Sequence, residues 1–513
     1  MDRATVADIE LLPATQPAAH DHLGRRYFNA ALDSVVRGGA SLALYGLTPV
    51  VLARALGPHD YGVYAIVTSL TAFVAGLFHL GQNSALHKLL PEYFVRDRGR
   101  GGALLADVVL LTLAVALLCC AGLFAGAHLM ATQLYHDAAL TNVLRACALL
   151  ILVTALFNLA SSVVAGLQDF RSYNTALLVR SLVLVAAAWL GVLWWGLWGA
   201  LAGQLIALGA AFALLAASAV RRARERFADL IRPDFSRAVL GSIAAFVLPV
   251  FVMTLLNAPG YWWANTLLAQ THGFAAAGRF SAAYGLAQLI WLAPMSFFVP
   301  AMTFLSEAHA AQQERFGALV GSNARMIWLL TLPLALSVAL ASPLLLNALF
   351  GAAYQAAVPA AFVLSLNGLL MGLIGLFNTA LVAAGRIWHG CAITFGWAVI
   401  FVATGLFCIP RWGVTGCALA YAVSHLLYLI GTGLYARAVL RARGVGTWRL
   451  AWLTATAFAA ALLLFLVFAG ATFYGAAILL LTALLTAEWR WVCSPAERAT
   501  LTSLRLRAKP ALV

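Results

Sequence analysis

Four arginines stand where the surrounding chain is apolar: Arg37, Arg54, Arg180 and Arg279. A guanidinium offers a planar fork of N–H donors that suits a phosphate or pyrophosphate, and it stays charged at any physiological pH. A charge inside an apolar run is costly. Each such arginine therefore marks either a path for an anion or a side chain that snorkels to an interface. Arg37 and Arg54 are 17 residues apart on one stretch, about 25 Å at 1.5 Å per residue, so they mark its opposite ends. Arg180 falls well inside its run and Arg279 begins another. Arg145, near the end of its run, reads as an interface anchor.

The acidic residues offer less. Asp33 lies four residues before Arg37, where the two can pair on one helix face. Asp107, about a turn inside the third apolar run, is a candidate for proton or cation coupling. Glu92 and Glu307 hold similar places at the ends of their runs and read as clamps of a gate. Asn158 and Asn378 stand mid-run, where an amide serves best as a hydrogen bond between helices. The seventh run is broken by Pro249 and then by Asn257-Ala-Pro259-Gly260. Proline removes a backbone donor and kinks a helix, which makes this segment the candidate hinge.

Catalytic patterns are missing. There is no HExxH, GxSxG or P-loop, and the acids at the less basic ends, Asp60 and Asp137, stand singly in short turns. The seven cysteines have no metal spacing. Six lie in apolar runs (Cys119, Cys120, Cys147, Cys391, Cys408 and Cys417) and read as small core residues. The sequence predicts no catalytic centre, no metal and no cofactor, and leaves open whether movement is coupled to protons or sodium.

The elements that carry these residues follow from composition. A chain of 513 residues that is 63% hydrophobic and only 10% charged has too few charges to cover a soluble surface. A bilayer core about 30 Å thick needs roughly 20 apolar residues per helix. Hydropathy gives about fourteen such runs with short connections, so the expectation is an all-α, polytopic membrane protein. The first residues, MDRATVADIELLPATQPAAHDHLGRRYF, read as a polar tail rather than a signal peptide.

The net charge of +14 sits in short clusters at helix ends, which fits topology signals and not nucleic-acid binding. With the N-terminus in the cytoplasm, 28 of the 32 Lys and Arg fall on that side, leaving Arg54, Arg145, Arg279 and Arg411 on the other. The positive-inside rule then puts both termini in the cytoplasm. The turn WWGLWG, from Trp194 to Gly199, falls on the far face, where indoles favour the interface.

The chain also repeats at about 218 residues. LFNLASSVVAGLQ from Leu156 matches LFNTALVAAGRIW from Leu376, and GLWGALAGQLIA from Gly196 matches GVTGCALAYAVS from Gly413. LGPHDYGVYAIVTSL from Leu56 matches THGFAAAGRFSAAYGL from Thr271 more loosely. Six helices per unit give two copies of one orientation, related by an axis along the membrane normal, as transporters often are. The expected organisation is a tail (1–28), a six-helix lobe (29–222), a basic linker (223–237), a second six-helix lobe (238–445), two further helices (446–490) and a cytoplasmic tail (491–513).

ARALGPHDYGVYA, from Ala53, followed by a helix ending in HKLLPEYF and by the 6+6 repeat, resembles the polysaccharide flippases of the multidrug/oligosaccharidyl-lipid/polysaccharide exporter superfamily. The resemblance covers about residues 25 to 445. It implies a V-shaped, two-lobed transporter in a bacterial inner membrane that moves an undecaprenyl-pyrophosphate-linked oligosaccharide outward by alternating access. It implies membrane lipids as surroundings, and a polysaccharide polymerase and chain-length proteins as partners. In that family the first, second, seventh and eighth helices line the cavity, which favours Arg37, Arg54 and Arg279. Rival readings are a peptidoglycan-precursor flippase, a drug or metabolite antiporter of the same superfamily, and an enzyme acting on the same lipid-linked sugar. The scarcity of mid-run acids weighs against the antiporter.

Overall fold

The computed structural model describes residues 37, 39–78, 86, 90, 93, 97–227, 232–235, 251–252, 254–311, 313–440, 448–467, 470–488 and 490. Regular structure among them is entirely helical. Eight helices are long and apolar enough to cross a membrane. Three of these fold back on themselves, so the chain crosses more than eight times. The continuous helix Phe170–Phe227 has 58 residues and would run about 87 Å if straight, far beyond a bilayer. It breaks at Gly196, which takes φ 53° and ψ −128°, a conformation open to glycine and strained for other residues. Backbone of Gly191 then lies directly against Gly199, as in a tight antiparallel pair. Ile387–Ala438 reverses the same way at Gly413 (φ 52°, ψ −124°), and Gly39–Phe78 at Gly57 (φ 72°, ψ 173°).

The helices are accordingly α1 (39–56), α2 (58–78), α3 (Arg98–Leu129), α4 (Leu140–Gly166), α5 (170–195), α6 (197–227), α7 (Pro259–His272), α8 (Phe274–Ala311), α9 (Gln313–Leu345), α10 (Val358–Ala383), α11 (387–412), α12 (414–438), α13 (Trp448–Val467) and α14 (Gly470–Ala487). Reversals at Gly57, Gly196, Gly273, Gly351 and Gly413 share one face, here the hairpin face. Asp97, Asp169, Arg386 and the described linker residues 232–235 lie at the opposite, linker face.

The repeat is written into the backbone itself. Gly57 is matched by Gly273 (φ 81°, ψ 167°), and the left-handed Gln168 by Gly385. A π turn at Met130–Leu134 is matched by one at Leu346–Phe350, each followed by a left-handed residue, His136 and Gly351. With Gly196 and Gly413, every pair is separated by 215 to 217 residues. That spacing puts the counterpart of Asn158 near residue 375. The matched LFN triplets are therefore about one helical turn out of structural register. Asn378 does bridge helices, donating to Tyr428 Oη of α12 at 3.0 Å.

The halves cross where α2 meets α8. A side chain on Gly62 would strike the carbonyl of Phe274, and one on Gly278 would strike the carbonyl of Pro58. Gly62 and Gly278, like Pro58 and Phe274, are 216 residues apart, so the two contacts form a symmetric pair. Without Cβ atoms the backbones can touch, which is how small residues bring membrane helices together. The last pair, α13 and α14, docks on the second half: Trp328 Nε1 of α9 donates to Thr454 Oγ1 at 3.0 Å, and Phe458 meets Phe362 edge-on.

Candidate functional site

Two of the four predicted arginines converge at the hairpin face. Arg54, at the end of α1, donates from Nη2 to the carbonyl of Ala348 at 2.8 Å. Ala348 lies in the π turn of the other half, where hydrogen bonds displaced by one residue leave carbonyls open to other donors. Arg279 of α8 donates from Nε to Ala353, just beyond that turn, at 3.2 Å. The buried Tyr354 of the same segment donates back to the carbonyl of Ala53 at 2.8 Å. Arg54 is exposed and Arg279 half-buried. Both guanidiniums hold backbone carbonyls in this conformation: Arg54 latches the first half to the second, and Arg279 fixes the segment after the π turn within its own half.

The second half answers with the same device. Gln270 of α7 is the counterpart of Arg54 by the spacing that relates Gly57 to Gly273. Its Nε2 donates to the carbonyl of Leu134 at 2.6 Å, in the π turn of the first half. Beside it Tyr135 Oη bonds Thr266 at 3.0 Å and accepts from Trp262 Nε1 at 3.3 Å. Each half thus inserts a donor at the end of its first helix into the π turn of the other. One donor is a cation and the other a neutral amide.

Arg37 and Arg180 belong elsewhere, on the seam between α1 and α5. Arg37 donates from Nη1 to Thr175 Oγ1 at 2.6 Å. Arg180 lies between the rings of Tyr45 and Phe157, at 5.3 and 4.9 Å from their centroids. The ring quadrupoles stabilise its charge inside the helix bundle. Ser41 Oγ, 2.9 Å from Ser181 Oγ, joins the same two helices.

The acids divide similarly. Asp107 is buried, and its two oxygens accept the backbone N–H groups of Asp234 and Phe235, each at 3.0 Å. The coupling candidate therefore ties the linker to α3. Glu307 is exposed on α8 and makes no ion pair among the described residues. Asp33, Glu92 and Pro249 lie outside the described residues. Pro259 opens α7 after a break at Ala258. There its missing N–H leaves no hydrogen bond unmade.

Sequence reasoning passed over Asp169 on the linker face. Its carboxylate accepts from Ser172 N, Ser172 Oγ and Ser218 Oγ (3.2, 2.9 and 2.9 Å) and from Arg222 Nε at 3.2 Å. Burial pushes this carboxyl up, and the hydrogen bonds from Ser218, Ser172 and Arg222 more than offset it, holding the group below its usual range. The signal was available, because an Asp three residues before Ser172 at a helix start is a capping pattern. Gln270 and Tyr354 gave no such signal, since neither is charged. An apolar cavity of about 600 Å³ between α9, α10, α12 and α13 lies apart from the latches. Among the described residues no cluster could hold a metal ion.

The chain is similar to known proteins in sequence and in fold. A protein 25% identical over 77% of this chain and 91% of its own length is the EPS I polysaccharide export inner membrane protein EpsE of Ralstonia solanacearum. An inward-facing multidrug resistance MATE family transporter of the MOP superfamily superposes with a TM-score of 0.68 at 14% identity, over 80% of this chain and 98% of its own. The lipid II flippase MurJ in an inward closed conformation gives 0.68 at 12% identity, over 93% and 99%. The family model for polysaccharide biosynthesis proteins matches residues 51–359, more than half of the sequence. The chain belongs to the polysaccharide biosynthesis protein family, on the fold of the MOP superfamily.

Proposed function

We propose that the chain is a polysaccharide flippase of a bacterial inner membrane, carrying lipid-linked oligosaccharide units from the linker face, on the cytoplasmic side, to the hairpin face by alternating access. The observation that carries this reading is the paired latch. The hydrogen bonds described between the two halves lie at the hairpin face, apart from those the linker makes with Asp107. Few polar contacts close that face, and the rest of the seam between the halves is apolar packing. The name of the Ralstonia relative supports polysaccharide as the cargo. The arginine bias supports an anionic carrier such as a prenyl pyrophosphate. When the hairpin face opens, Arg54 loses its carbonyl acceptor on the other half and becomes available to the phosphates, with Arg279 close by.

The experiment separates latch from charge. Arg54→Gln installs the residue its counterpart position already holds, an amide able to reach the same carbonyl. In a strain lacking the native protein, Arg54→Gln and Arg279→Ala should reach wild-type levels in the membrane yet restore less than a tenth of surface polysaccharide. Full restoration by both would remove the cationic role. Loss of surface polysaccharide, without defective cell-wall precursor supply or new drug sensitivity, is the phenotype expected of the null strain.

A further inference from the structure

On the linker face, between the start of α5 and the end of α6, lies a cavity of about 360 Å³ bordered by Asp169, Arg171, Thr175, Leu214, Arg221 and Arg222. Three guanidiniums and one carboxylate border it, and Glu225 outside the wall pairs with Arg222 at 3.3 Å, which leaves one positive charge over, on the side of Arg171 and Arg221. Asp169 engages Arg222 at 3.2 Å and Arg221 only at 4.0 Å. Arg171 is exposed, and its side chain makes no hydrogen bond or ion pair among the described residues. A fourth guanidinium stands behind the wall, where Arg37 donates to Thr175. Cationic residues at span ends ordinarily serve as topology anchors with their heads in water. Here they are gathered around a concavity whose one acid is already consumed by Ser172, Ser218 and Arg222.

We infer that this cavity binds the phosphate headgroup of a membrane lipid. The anion follows from the surplus charge and from the fork geometry of Arg171 and Arg221. The lipid follows from what adjoins it. Leu214, 45% exposed, forms part of the cavity wall, and Ile206 stands two turns further along α6 at 57% exposed. A chain attached to the phosphate would lie along this apolar stripe, while a free anion would leave it bare. Arg222 positions the site by holding Asp169, and Arg171 and Arg221 are the side chains that meet the phosphate. The site is distinct from the hairpin-face latches. It rests on the placement of α5 and α6 in a membrane and does not require transport.

The test uses the full-length protein purified in detergent and native mass spectrometry. The probes are phosphatidylglycerol, a short polyprenyl pyrophosphate and inorganic pyrophosphate. Wild type should retain both lipids, and Arg171→Gln with Arg221→Gln should weaken retention about ten- to thirty-fold, at roughly 1 kcal/mol per cation. Arg171→Lys with Arg221→Lys should restore most of it. Because Arg222 and Asp169 are untouched, thermal unfolding of these variants should match wild type. Preference for the polyprenyl pyrophosphate would identify the carrier lipid as the occupant, and equal retention a resident phospholipid; both outcomes uphold the site. Undiminished retention by the Gln pair would overturn it, as would inorganic pyrophosphate binding as tightly as either lipid. Binding is read without any transport step, so its failure leaves the flippase reading standing, and the reverse also holds.

Discussion

Asp169 shows how a single carboxylate can organise a helix junction. It caps the start of α5 through Ser172 and reaches α6 through Ser218 and Arg222. Its carboxyl is held below the usual range, so the folded state binds its proton less readily than the unfolded chain does. The stabilisation is therefore complete above the unfolded carboxylate pKa of about 3.9 and is lost as pH falls through the lowered folded value. Asp169→Asn should cost about 1–2 kcal/mol. The gap in thermal midpoint from wild type should stay constant between pH 8 and pH 5 and close only in stronger acid. A gap that closed near neutrality would show that the charge of Asp169 is not the cause. At this scale the sequence was legible where charge broke an apolar run, as at Arg54 and Arg279. It was mute about which acceptor each would meet, because backbone carbonyls carry no residue signature.

Among the elements, the crossing of α2 and α8 sets how closely the halves can approach. Gly62 and Gly278 are ordinary glycines in an apolar helix until the partner backbone is seen, and no periodicity within one helix announces a contact between two. Adding a methyl at either position drives it into a carbonyl. The double variant Gly62→Ala with Gly278→Ala should destabilise the closed hairpin face by about 1–3 kcal/mol per site. Thiol labelling of a cysteine placed at the buried Thr266, in a background without the native cysteines, should then increase in membranes while the amount of protein is unchanged. Labelling as slow as in the parent would mean that the crossing does not control closure. The proline-bearing break before α7 was foreseen from the sequence, whereas the π turns were not. A π turn arises from one extra residue per turn, which hydropathy does not register.

For the whole molecule, the two halves were visible in sequence as three fragments matched at about 218 residues, and one of those fragments was a turn out of register. Side chains facing lipid drift freely while remaining apolar, so letter-by-letter similarity fades where the backbone plan persists. If the hairpin face must open in each cycle, joining the halves there should stop export. Leu134→Cys with Gln270→Cys, in a background without the native cysteines, links the first π turn to α7. Oxidation should abolish export of surface polysaccharide, and reduction should restore it to the level of the single variants. Export that continued with the link closed would rule out opening at this face.

The shared irregularities also carry a chronology. One pair of π turns, two pairs of glycine reversals and two pairs of left-handed residues stand at one spacing in both halves. Doubling of a single ancestral half accounts for that common spacing. Arg54 and Gln270 occupy the same ancestral position and now differ, so the charge at one latch and the neutrality of the other date from after the doubling. The architecture was inherited twice, and the difference in charge between its two latches was added afterwards.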